Sequence, residues 1–422
     1  MLDIRFIREH PDLVKQGMEK KGEDPGRVDQ ALRLDEQRRQ LLQKVEGLKN
    51  QRNTATAQVA RLKSRGEDAS AVITETRALA DQIKSLDDEV RRVDEELHNQ
   101  LLQIPNIPHS SVPTGSSPAE NQVVATWGEA PEIDFVPKPH WELAEKLQII
   151  DFSRGVKITG AGFPVYMGKG ARLERALINF FLDRAGVGGY TEVFPPIVVN
   201  RASATGTGQL PDKEDMMYVV GRDDYYLVPT AEVPVTNIYR DEILAEKQLP
   251  INLCAYTPCF RREAGSYGKD VRGLNRVHQF DKVELVKFVH PDRSYDELER
   301  LRQDAEGLIR ELNLRYRVLL MCSGDLGFTQ AKKYDLEVWS PGQEKWLEVS
   351  SISNFESYQA RRMDIRFRPD RGGKPEIVHT LNGSALALPR ILASLLEHYQ
   401  TPEGKVVVPR VLHPYTGFEV IG

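Results

Sequence analysis

The chain has 422 residues, of which 40% are hydrophobic and 28% are charged, and this balance is typical of a soluble globular protein with two or three domains. Its formal net charge of −5 provides no global positive field, so nucleic acid would have to bind a local basic patch. Three cysteines are too few for a disulfide framework or a zinc site, and we expect them in the core. The sequence contains neither a signal peptide nor an apolar run of about 18 residues, which predicts a cytoplasmic protein that does not span a membrane.

Heptad repeats dominate the chain after a short lead-in of about 25 residues. Apolar residues recur every seven positions in the first row: Leu34, Leu41, Leu48, Ala55 and Leu62. A turn signal interrupts the pattern at 64–68, and a matching series then continues from Val72 until Pro105 ends it. We predict an antiparallel helical hairpin over about 27–104, on the order of 55–60 Å long at 1.5 Å per residue.

The two predicted helices of this hairpin carry opposite charge. The first is rich in Lys and Arg, whereas the second is rich in Asp and Glu. The charges could pair across a solvated coiled coil, or the basic side could lie along an RNA backbone. Four basic residues of the first helix are candidates for RNA contact: Arg38, Lys44, Lys49 and Arg52.

A composition change separates this region, predicted as a domain over 1–104, from a second domain over 140–422. Residues 105–139 are rich in Pro, Ser and Gly, which predicts an irregular linker. A helix follows over 171–185, and a strand over 190–199 is interrupted by Pro195 and Pro196. Because proline removes a donor from the hydrogen-bond ladder, this strand should lie at an edge or an interface. Further on, Thr230 is predicted to cap a helix whose first turn contains Glu232.

A long polar loop joins the next two predicted strands, 253–260 and 283–289. It contains three glycines and five cations: Gly265, Gly268, Gly273, Arg261, Arg262, Lys269, Arg272 and Arg276. Loops of more than roughly 12 residues are usually functional or disordered. A cationic loop that ends at Phe280 suits a nucleotide, since guanidinium groups contact phosphates and the ring can stack on the base. A surface hairpin with solvated charge is the alternative.

The C-terminal part of the chain predicts two paired strands over 335–339 and 346–351, and then a strand end, a glycine and a helix over 379–390. Arg390 would lie about one and a half turns into that helix. An arginine in such a position is either an ion-pair partner or a ligand of the nucleotide phosphates.

Several of these segments resemble one family. Phe260-Arg261-Arg262-Glu263 and the returning strand HQFDKVE, which ends at Glu284, resemble motif 2 of class II aminoacyl-tRNA synthetases in its seryl-tRNA synthetase version. The helix and proline-containing strand of 171–199 are similar to motif 1, and HTLNGSALALPR, which ends at Arg390, is similar to motif 3. The hairpin resembles the arm of bacterial-type seryl-tRNA synthetases, which recognises the long variable arm of the tRNA and reaches across the dimer.

The resemblance implies an α+β fold, with an antiparallel-sheet class II catalytic domain, an N-terminal antiparallel coiled-coil arm and a homodimeric assembly. It also implies a binding site for L-serine, formed by Thr230, Ala231, Glu232, Arg261, Glu284, Asn382 and Ser384. The implied ATP site consists of Arg261, Arg262, Glu263, Arg276, Val277, Phe280, Glu348, Val349, Ser350, Ser351 and Arg390. Glu348 and Ser351 would hold the Mg²⁺ that bridges the ATP phosphates.

The resemblance assigns the catalytic roles to Arg261, Glu263 and Arg390. Arg261 would neutralise charge at the α-phosphate, Glu263 would accept from the adenine amino group, and Arg390 would meet the γ-phosphate. The implied reaction activates serine with ATP and transfers it to the 3′ end of tRNA(Ser), and also of tRNA(Sec). A ligase for a carrier protein, a synthetase for another amino acid and a non-catalytic RNA-binding paralogue are the alternatives.

Overall fold

The computed structural model describes residues 1–263 and 272–422, and these divide into two compact units. The first unit contains residues 1–19 and 23–105, and the second contains residues 20–22 and 106–422. Gly265, Gly268 and Lys269 of the predicted nucleotide loop lie outside the described residues. In the described part of the chain, no helix has the length and hydrophobicity needed to cross a membrane.

The first unit is helical. Its helices are α1 (Ile4–Glu9), α2 (Pro11–Lys20), α3 (Gly26–Ser64) and α4 (Ser70–Leu102). The predicted hairpin is confirmed, since α3 and α4 pack along the heptad seam and Leu41, Val45, Val90 and Val93 form one buried cluster. The turn between them uses Gly66 at φ +71°, a backbone conformation that glycine adopts without strain.

Ion pairs between α3 and α4 show that the two helices are antiparallel. Arg38 pairs with Asp94, and Lys49 Nζ lies 3.3 Å from Asp87 Oδ1. A higher residue number on α3 therefore pairs with a lower residue number on α4. Two of the four basic residues considered for RNA contact therefore take part in pairing across the hairpin. No ion pair is recorded for Lys44 or Arg52 within the described residues.

The second unit mixes helices with a large sheet. Its helices are α5 (His140–Lys146), α6 (Phe152–Ile158), α7 (Gly168–Val187), α8 (Arg201–Thr207), α9 (Glu232–Thr236), α10 (Ser294–Glu311), α11 (Tyr358–Arg362), α12 (Leu388–His398) and α13 (His413–Thr416). Its strands are β1 (Gln122–Trp127), β2 (Ile150–Asp151), β3 (Val165–Tyr166), β4 (Thr191–Glu192), β5 (Val198–Asn200), β6 (Val219–Val220), β7 (Tyr225–Leu227), β8 (Ile243–Ala245), β9 (Ile251–Phe260), β10 (Gln279–Val289), β11 (Tyr316–Leu320), β12 (Lys332–Ser340), β13 (Lys345–Glu356), β14 (Arg366–Arg368), β15 (Glu376–Ile377), β16 (His379–Ala387), β17 (Val406–Val407) and β18 (Val420–Ile421).

Eight strands form the main sheet, in the order β1-β11-β12-β13-β16-β10-β9-β4. All of its neighbouring strands are antiparallel except β4 and β9, which are parallel. This sheet and its flanking helices confirm the predicted α+β class II architecture. The three cysteines are buried and free, as predicted.

Side-chain alternation along β10 gives the sheet two different faces. Val283, Leu285 and Val289 point into the principal core, where residues of α7, α10 and α12 pack against the sheet. Lys282 and Glu284 therefore point to the opposite face, on which the cavity described below lies. The side-chain alternation of β10 thus places apolar residues in the core and the polar side chains of Lys282 and Glu284 in the cavity.

The prediction that residues 105–139 form an irregular linker is wrong in one segment. Residues Gln122–Trp127 form β1, which pairs with β11 at the edge of the main sheet, so this segment is part of the second unit. Val123 and Val124 are about half exposed, because β1 is an edge strand that covers little of the core. The strand consequently lacks the alternating hydrophobic pattern that would have predicted it.

Two local predictions near the motifs also need correction. The strand expected over 190–199 is divided by its prolines into β4 and β5, which belong to different sheets. Gly383 does not separate a strand from a helix but lies inside β16, and α12 begins only at Leu388. Arg390 is therefore in the first turn of α12, where it lies closer to the sheet than predicted.

Candidate active site

A cavity of about 650 Å³ opens on the polar face of the main sheet. Its walls come from five separate parts of the chain: residues 209–232 up to the start of α9, the residues between β9 and β10 together with β10, the segment 324–330 before β12, the β12–β13 pair, and β16 with the start of α12. The predicted serine, ATP and metal residues meet in this cavity, with the exceptions described below.

Glu284 lies at one end of the cavity and is almost completely buried. Three side chains donate to its carboxylate: Lys282 Nζ at 2.6 Å, Asn382 Nδ2 at 3.2 Å and Ser384 Oγ at 3.3 Å. Pairing of β10 with β16 places Ser384 directly opposite Glu284. The second polar atom of the Asn382 amide, Oδ1, is buried without a partner among the described residues, and it is an acceptor available to a small ligand.

Glu232, the first residue of α9, lies in the same pocket and is also buried. Burial, reinforced by the negative charge of Glu284, raises the pKa of Glu232 to about 7. Gln359 Nε2 donates to Glu232 Oε1 at 2.6 Å, while the Gln359 carbonyl oxygen accepts from Thr380. The helix begins one residue later than a cap at Thr230 would require, but Thr230 Oγ1 still accepts from the N–H of Glu232 at 3.2 Å.

The other end of the cavity is cationic and aromatic. The guanidinium of Arg261 lies 5.1 Å from the centre of the Phe280 ring, and its Nε donates to Pro229 O at 3.2 Å. Arg276 forms an ion pair with Glu263 at 2.5 Å. Glu263 has φ +49°, a left-handed conformation that is unusual for a residue with a side chain and is concentrated at functional sites.

Glu348, Ser351 and Arg390 form a third group in the wall of the cavity. Ser351 Oγ donates to Glu348 Oε1 at 3.1 Å, and Arg390 Nη1 donates to the backbone oxygen of Glu348 at 2.7 Å. The position of Glu348 in the pocket opposes ionisation, but the charges of Arg390 and Lys333 outweigh this effect and lower the pKa of Glu348. Glu348 therefore presents an ionised carboxylate to the cavity.

This group of side chains suits a hard cation such as Mg²⁺. A carboxylate and a hydroxyl lie side by side, and one oxygen of the neighbouring buried Asp335 has no partner among the described residues. No cluster of three or more His, Cys, Asp or Glu side chains able to hold a metal occurs within 1–263 and 272–422. Few protein ligands are typical of Mg²⁺, which usually takes one or two carboxylates together with substrate phosphates.

Four of the predicted residues do not present their side chains to the cavity. Ala231 is buried in a hydrophobic cluster, and Arg262 is exposed and is not part of the cavity wall. Val349 lines the cavity, although its side chain packs in the principal core. Ser350 is buried, and its hydroxyl donates to Ser384 O at 2.7 Å. Any ligand contact of Val349 would therefore come from its backbone.

The structure adds residues that the sequence analysis missed. Lys282 is only 6% exposed and also donates to Thr230 Oγ1 at 2.8 Å, so it belongs to the pocket rather than to a solvated strand face. Lys282 is two residues from both Phe280 and Glu284, and this spacing could have predicted that the three side chains lie on the same face of β10. Lys333 and Asp335 form an ion pair at 3.3 Å, and the charge of Lys333 acts on Glu348. Gln359 is a further missed residue, because it donates a hydrogen bond to Glu232.

Comparisons with known proteins agree with this architecture at both ends of the chain. The seryl-tRNA synthetase N-terminal domain matches residues 1–108, and the tRNA synthetase class II core domain (G, H, P, S and T) matches residues 218–399. A serine–tRNA ligase of Salinibacter ruber is 55% identical over 425 residues, covering 100% of this chain and 99% of that protein. A serine–tRNA ligase of Bacillus pumilus is 55% identical over 418 residues, with 99% of both chains covered. Among solved structures, the seryl-tRNA synthetase of Pyrococcus horikoshii complexed with ATP has a TM-score of 0.94 and 39% identity, covering 100% of this chain and 99% of that one.

Proposed function

The chain belongs to the seryl-tRNA synthetase family of class II aminoacyl-tRNA synthetases, and we propose that its cavity converts L-serine and ATP to seryl-adenylate before the seryl group passes to tRNA(Ser). It is a serine–tRNA ligase, since relatives with that activity match it from end to end. The observation that carries the proposal is the position of Glu284, Asn382 and Ser384 in the same cavity as Arg261 and Arg390. An acidic pocket for a small amino acid thus adjoins a cationic pocket for a nucleotide.

Serine would bind with its ammonium group between Glu232 and Glu284. The two carboxylates and the ammonium of Lys282 leave one net negative charge in the pocket when all three are ionised, which suits one substrate ammonium. The serine hydroxyl would donate to the unpartnered Oδ1 of Asn382. A site that hydrogen-bonds a hydroxyl rejects analogues without it by roughly 10⁴–10⁵-fold, so alanine would be a poor substrate.

In the first step, an oxygen of the serine carboxylate would attack the α-phosphorus of ATP. A carboxylate–phosphate bond forms, the bond to the bridging oxygen breaks, and pyrophosphate leaves with that electron pair. Arg261 would leave its contacts with Pro229 and Phe280 to neutralise the charge gathered at the α-phosphate. The Phe280 ring would then be available to stack on adenine. No protein nucleophile is required, so catalysis consists of positioning and charge neutralisation.

The remaining ATP contacts follow from the charges around the cavity. Glu263 would accept from the adenine amino group, and Arg276, its ion-pair partner, would turn toward the triphosphate. Arg390 would meet the γ-phosphate from the first turn of α12. Because Glu263 and Arg276 contact each other, and Arg390 contacts Glu348, ATP binding would exchange protein–protein contacts for protein–ligand contacts.

Mg²⁺ would be held by Glu348 and Ser351 together with phosphate oxygens of ATP. When bound, the metal supplies positive charge that offsets the charge of the triphosphate. Replacement Glu348→Gln should raise the Mg²⁺ concentration needed for half-maximal pyrophosphate exchange by about ten-fold or more, as expected for loss of one charged ligand. An unchanged Mg²⁺ requirement would exclude Glu348 as a ligand.

In the second step, a terminal ribose hydroxyl of the tRNA would attack the serine carbonyl of the adenylate, and AMP would leave. The coiled-coil arm of α3 and α4 would bind the body of the tRNA through basic residues of α3. We include tRNA(Sec) as a second acceptor, because the arm would recognise features outside the anticodon. The proposed location is the cytoplasm, where charged tRNA is consumed by ribosomes.

The experiment that tests the proposal is ATP–pyrophosphate exchange with each of the twenty amino acids, first without tRNA. Exchange with serine alone is the expected result. Exchange with another amino acid would keep the adenylate chemistry and refute the roles given to Asn382 and Ser384. Aminoacylation of purified tRNA(Ser) and tRNA(Sec) in parallel, with tRNA(Thr) as the control, would then separate the two proposed acceptors.

A further inference from the structure

A buried polar network lies beside the cavity and outside the groups assigned above. His140, the first residue of α5, and Glu397, near the end of α12, are both fully buried. His140 Nδ1 lies 2.8 Å from Glu397 Oε1, and His140 Nε2 lies 2.8 Å from the backbone nitrogen of Leu274. Leu274 lines the cavity, directly before Asn275 and Arg276.

The chemistry of these contacts fixes the state of the imidazole. A backbone N–H can only donate, so His140 Nε2 must be the unprotonated acceptor for Leu274. The proton therefore resides on Nδ1 and is donated to Glu397. Burial opposes ionisation of Glu397, but its contacts with His140 and the hydrogen bond from Ser340 outweigh it and lower the pKa of this carboxyl. An ionised Glu397 that accepts from Nδ1 thus orients His140 with Nε2 toward the N–H of Leu274.

The same carboxylate is tied to the cavity wall by a second route. Gln343 Nε2 donates to Glu397 Oε1 at 2.8 Å, and Gln343 Oε1 accepts from Asn275 Nδ2, also at 2.8 Å. Arg390 Nε donates to Asn275 O at 3.1 Å. Arg390 and Glu397 both belong to α12, so one helix holds the Leu274–Asn275 peptide segment from two ends.

The backbone geometry at Gly273 allows the close contact between His140 and the Leu274 N–H. Gly273 has φ +67°, and a Cβ at this position would lie 2.3 Å from His140 Nε2. A residue with a side chain could therefore not occupy this position without moving the segment away from the imidazole. The close approach places the N–H of Leu274 on the acceptor nitrogen.

We propose that His140, oriented by Glu397, is a positioning residue for ATP binding, because it holds the Leu274–Asn275 segment that precedes Arg276 in the nucleotide pocket. The imidazole acts through the backbone and does not touch a reacting atom. This inference rests on the proposed function insofar as it concerns ATP. The positioning itself can be measured without catalysis.

Two substitutions of His140 separate the two hydrogen bonds. In His140→Asn, the amide nitrogen can occupy the place of Nδ1 and donate to Glu397, but nothing reaches Leu274. In His140→Gln, the longer side chain can present its oxygen near the place of Nε2 and accept from Leu274. We expect the KM for ATP in pyrophosphate exchange to rise about five-fold or more in His140→Asn, since a buried donor loses its partner. The KM for serine should stay within two-fold, and His140→Gln should recover part of the loss.

Hydrogen exchange of the Leu274 amide supplies a readout that needs no substrate. His140→Asn should accelerate this exchange in the folded full-length protein at least five-fold, and Gly273→Ala should do the same by displacing the segment. His398→Asn is the matched control, because His398 follows Glu397 on α12 but contacts Ser394 O instead. It should leave both Leu274 exchange and the KM for ATP unchanged.

Unchanged Leu274 exchange in His140→Asn would overturn the proposal, and so would a loss of maximal rate in proportion to the loss of folded protein with both KM values unchanged. If the wild-type chain shows no exchange of pyrophosphate with serine, the proposed function fails instead. The hydrogen-exchange comparison would still decide whether His140 positions the segment.

Discussion

Glu232 and Glu284 are two buried carboxylates in one pocket, but their surroundings differ. Glu284 accepts from Lys282, Asn382 and Ser384, so that its charge is compensated by three donors. The described contacts of Glu232 provide one strong donor, from Gln359. Burial therefore dominates for Glu232, which is why its pKa is raised to about 7. The proposed serine site thus contains one carboxylate that is ready for an ammonium and one that must first lose a proton.

This difference predicts a pH dependence for serine binding. Below pH 7 Glu232 is mostly protonated before serine binds, and the serine ammonium must displace that proton, so the KM for serine should fall as pH rises toward 7 and level off above it. The slope should approach a factor of about ten per pH unit well below the pKa, as expected for release of one proton. KM values from pyrophosphate exchange between pH 5.5 and 7.5 measure this, with the KM for ATP as the internal reference. A serine KM that is flat over this range would contradict the raised pKa.

Lys282 is predicted to be essential for serine affinity. Removing one partner of a buried ion pair leaves the other charge uncompensated, at a cost of roughly 3–5 kcal/mol. The charge of Lys282 also lowers the pKa of Glu232, so without it that carboxyl holds more tightly the proton that serine must displace. Lys282→Met should therefore raise the KM for serine about ten-fold or more with little change in the KM for ATP, whereas Lys282→Arg should retain part of the affinity. Steady-state pyrophosphate exchange at saturating cosubstrate separates the two constants.

Lys287→Met provides a matched control for that substitution. Lys287 is also on β10, is equally buried and pairs with Glu297 at 3.0 Å, but it belongs to the opposite face of the strand. Both variants should lose stability, as measured by thermal unfolding. If Lys287→Met raised the serine KM as much as Lys282→Met, the effect would be general destabilisation and not loss of a pocket charge.

Contacts between individual side chains could be predicted only in part from the sequence. The resemblance carried by Arg261, Glu263, Glu284 and Arg390 implied that these residues share one ligand site, and the structure brings them into one cavity. The burial of Lys282, however, depends on Thr230 and Glu284, and the partner of His140 is 257 positions away along the chain. No local pattern records such contacts, because they depend on how distant strands and helices pack.

At the scale of elements, periodic patterns predicted the structure well and unpatterned segments did not. The heptads predicted α3 and α4 with nearly the correct bounds, whereas the four strands β9, β10, β12 and β13 were correct in type but β10 begins four residues earlier and β13 ends five residues later than predicted. The edge strand β1 has no alternation, and the prolines after β4 split one predicted strand into two sheets. Arg390 lies nearer the start of its helix than predicted, because β16 continues through Gly383, where Leu301 and Ile352 pack closely against the glycine.

The arm gives a prediction that distinguishes pairing from RNA contact. Arg38 and Lys49 are engaged with acidic residues of α4, whereas no such pair is recorded for Lys44 or Arg52 in the described part of the chain. Replacing both Lys44 and Arg52 with Ala should weaken tRNA(Ser) binding and reduce the slope of log K against log salt by roughly 1.5–2 units. Binding titrations between 50 and 200 mM salt measure the slope. Serine-dependent pyrophosphate exchange without tRNA should be unaffected.

Lys49→Ala is the control within the arm, and it extends the test to a paired cation. Exposed ion pairs typically contribute about 0–1 kcal/mol, so this variant should leave the arm folded. A loss of slope about half that of the Lys44 and Arg52 double variant would show that Lys49 also contacts RNA despite its pair with Asp87. A salt slope that stays at the wild-type value in the Lys44 and Arg52 double variant would exclude both residues from the RNA interface.

At the scale of the whole molecule, apolar side chains remain exposed around the elements that resemble motif 1. Phe194, between β4 and β5, is 84% exposed, and Val187 at the end of α7 is 82% exposed. Ile197 and Val198 are each about 40% exposed. A concentration of exposed apolar residues on one set of elements is typical of an interaction surface. We expect a second copy of this chain to cover it, because class II motif 1 forms the dimer in the family that the chain belongs to.

Phe194→Glu should therefore convert a dimer to a monomer. The substitution removes nothing from the core of a single chain, since Phe194 contributes little buried surface there, but it introduces a charge into an apolar interface, where desolvation without a partner costs several kcal/mol. Sedimentation equilibrium at micromolar concentration should give about twice the 47.8 kDa chain mass for the wild type and the chain mass for the variant. Val136→Glu is the matched control, because Val136 is 88% exposed but lies outside α7, β4 and β5. Equal dissociation of both variants would mean that the surface is not specific to motif 1, and a wild-type chain that stays monomeric at tens of micromolar would refute the homodimer.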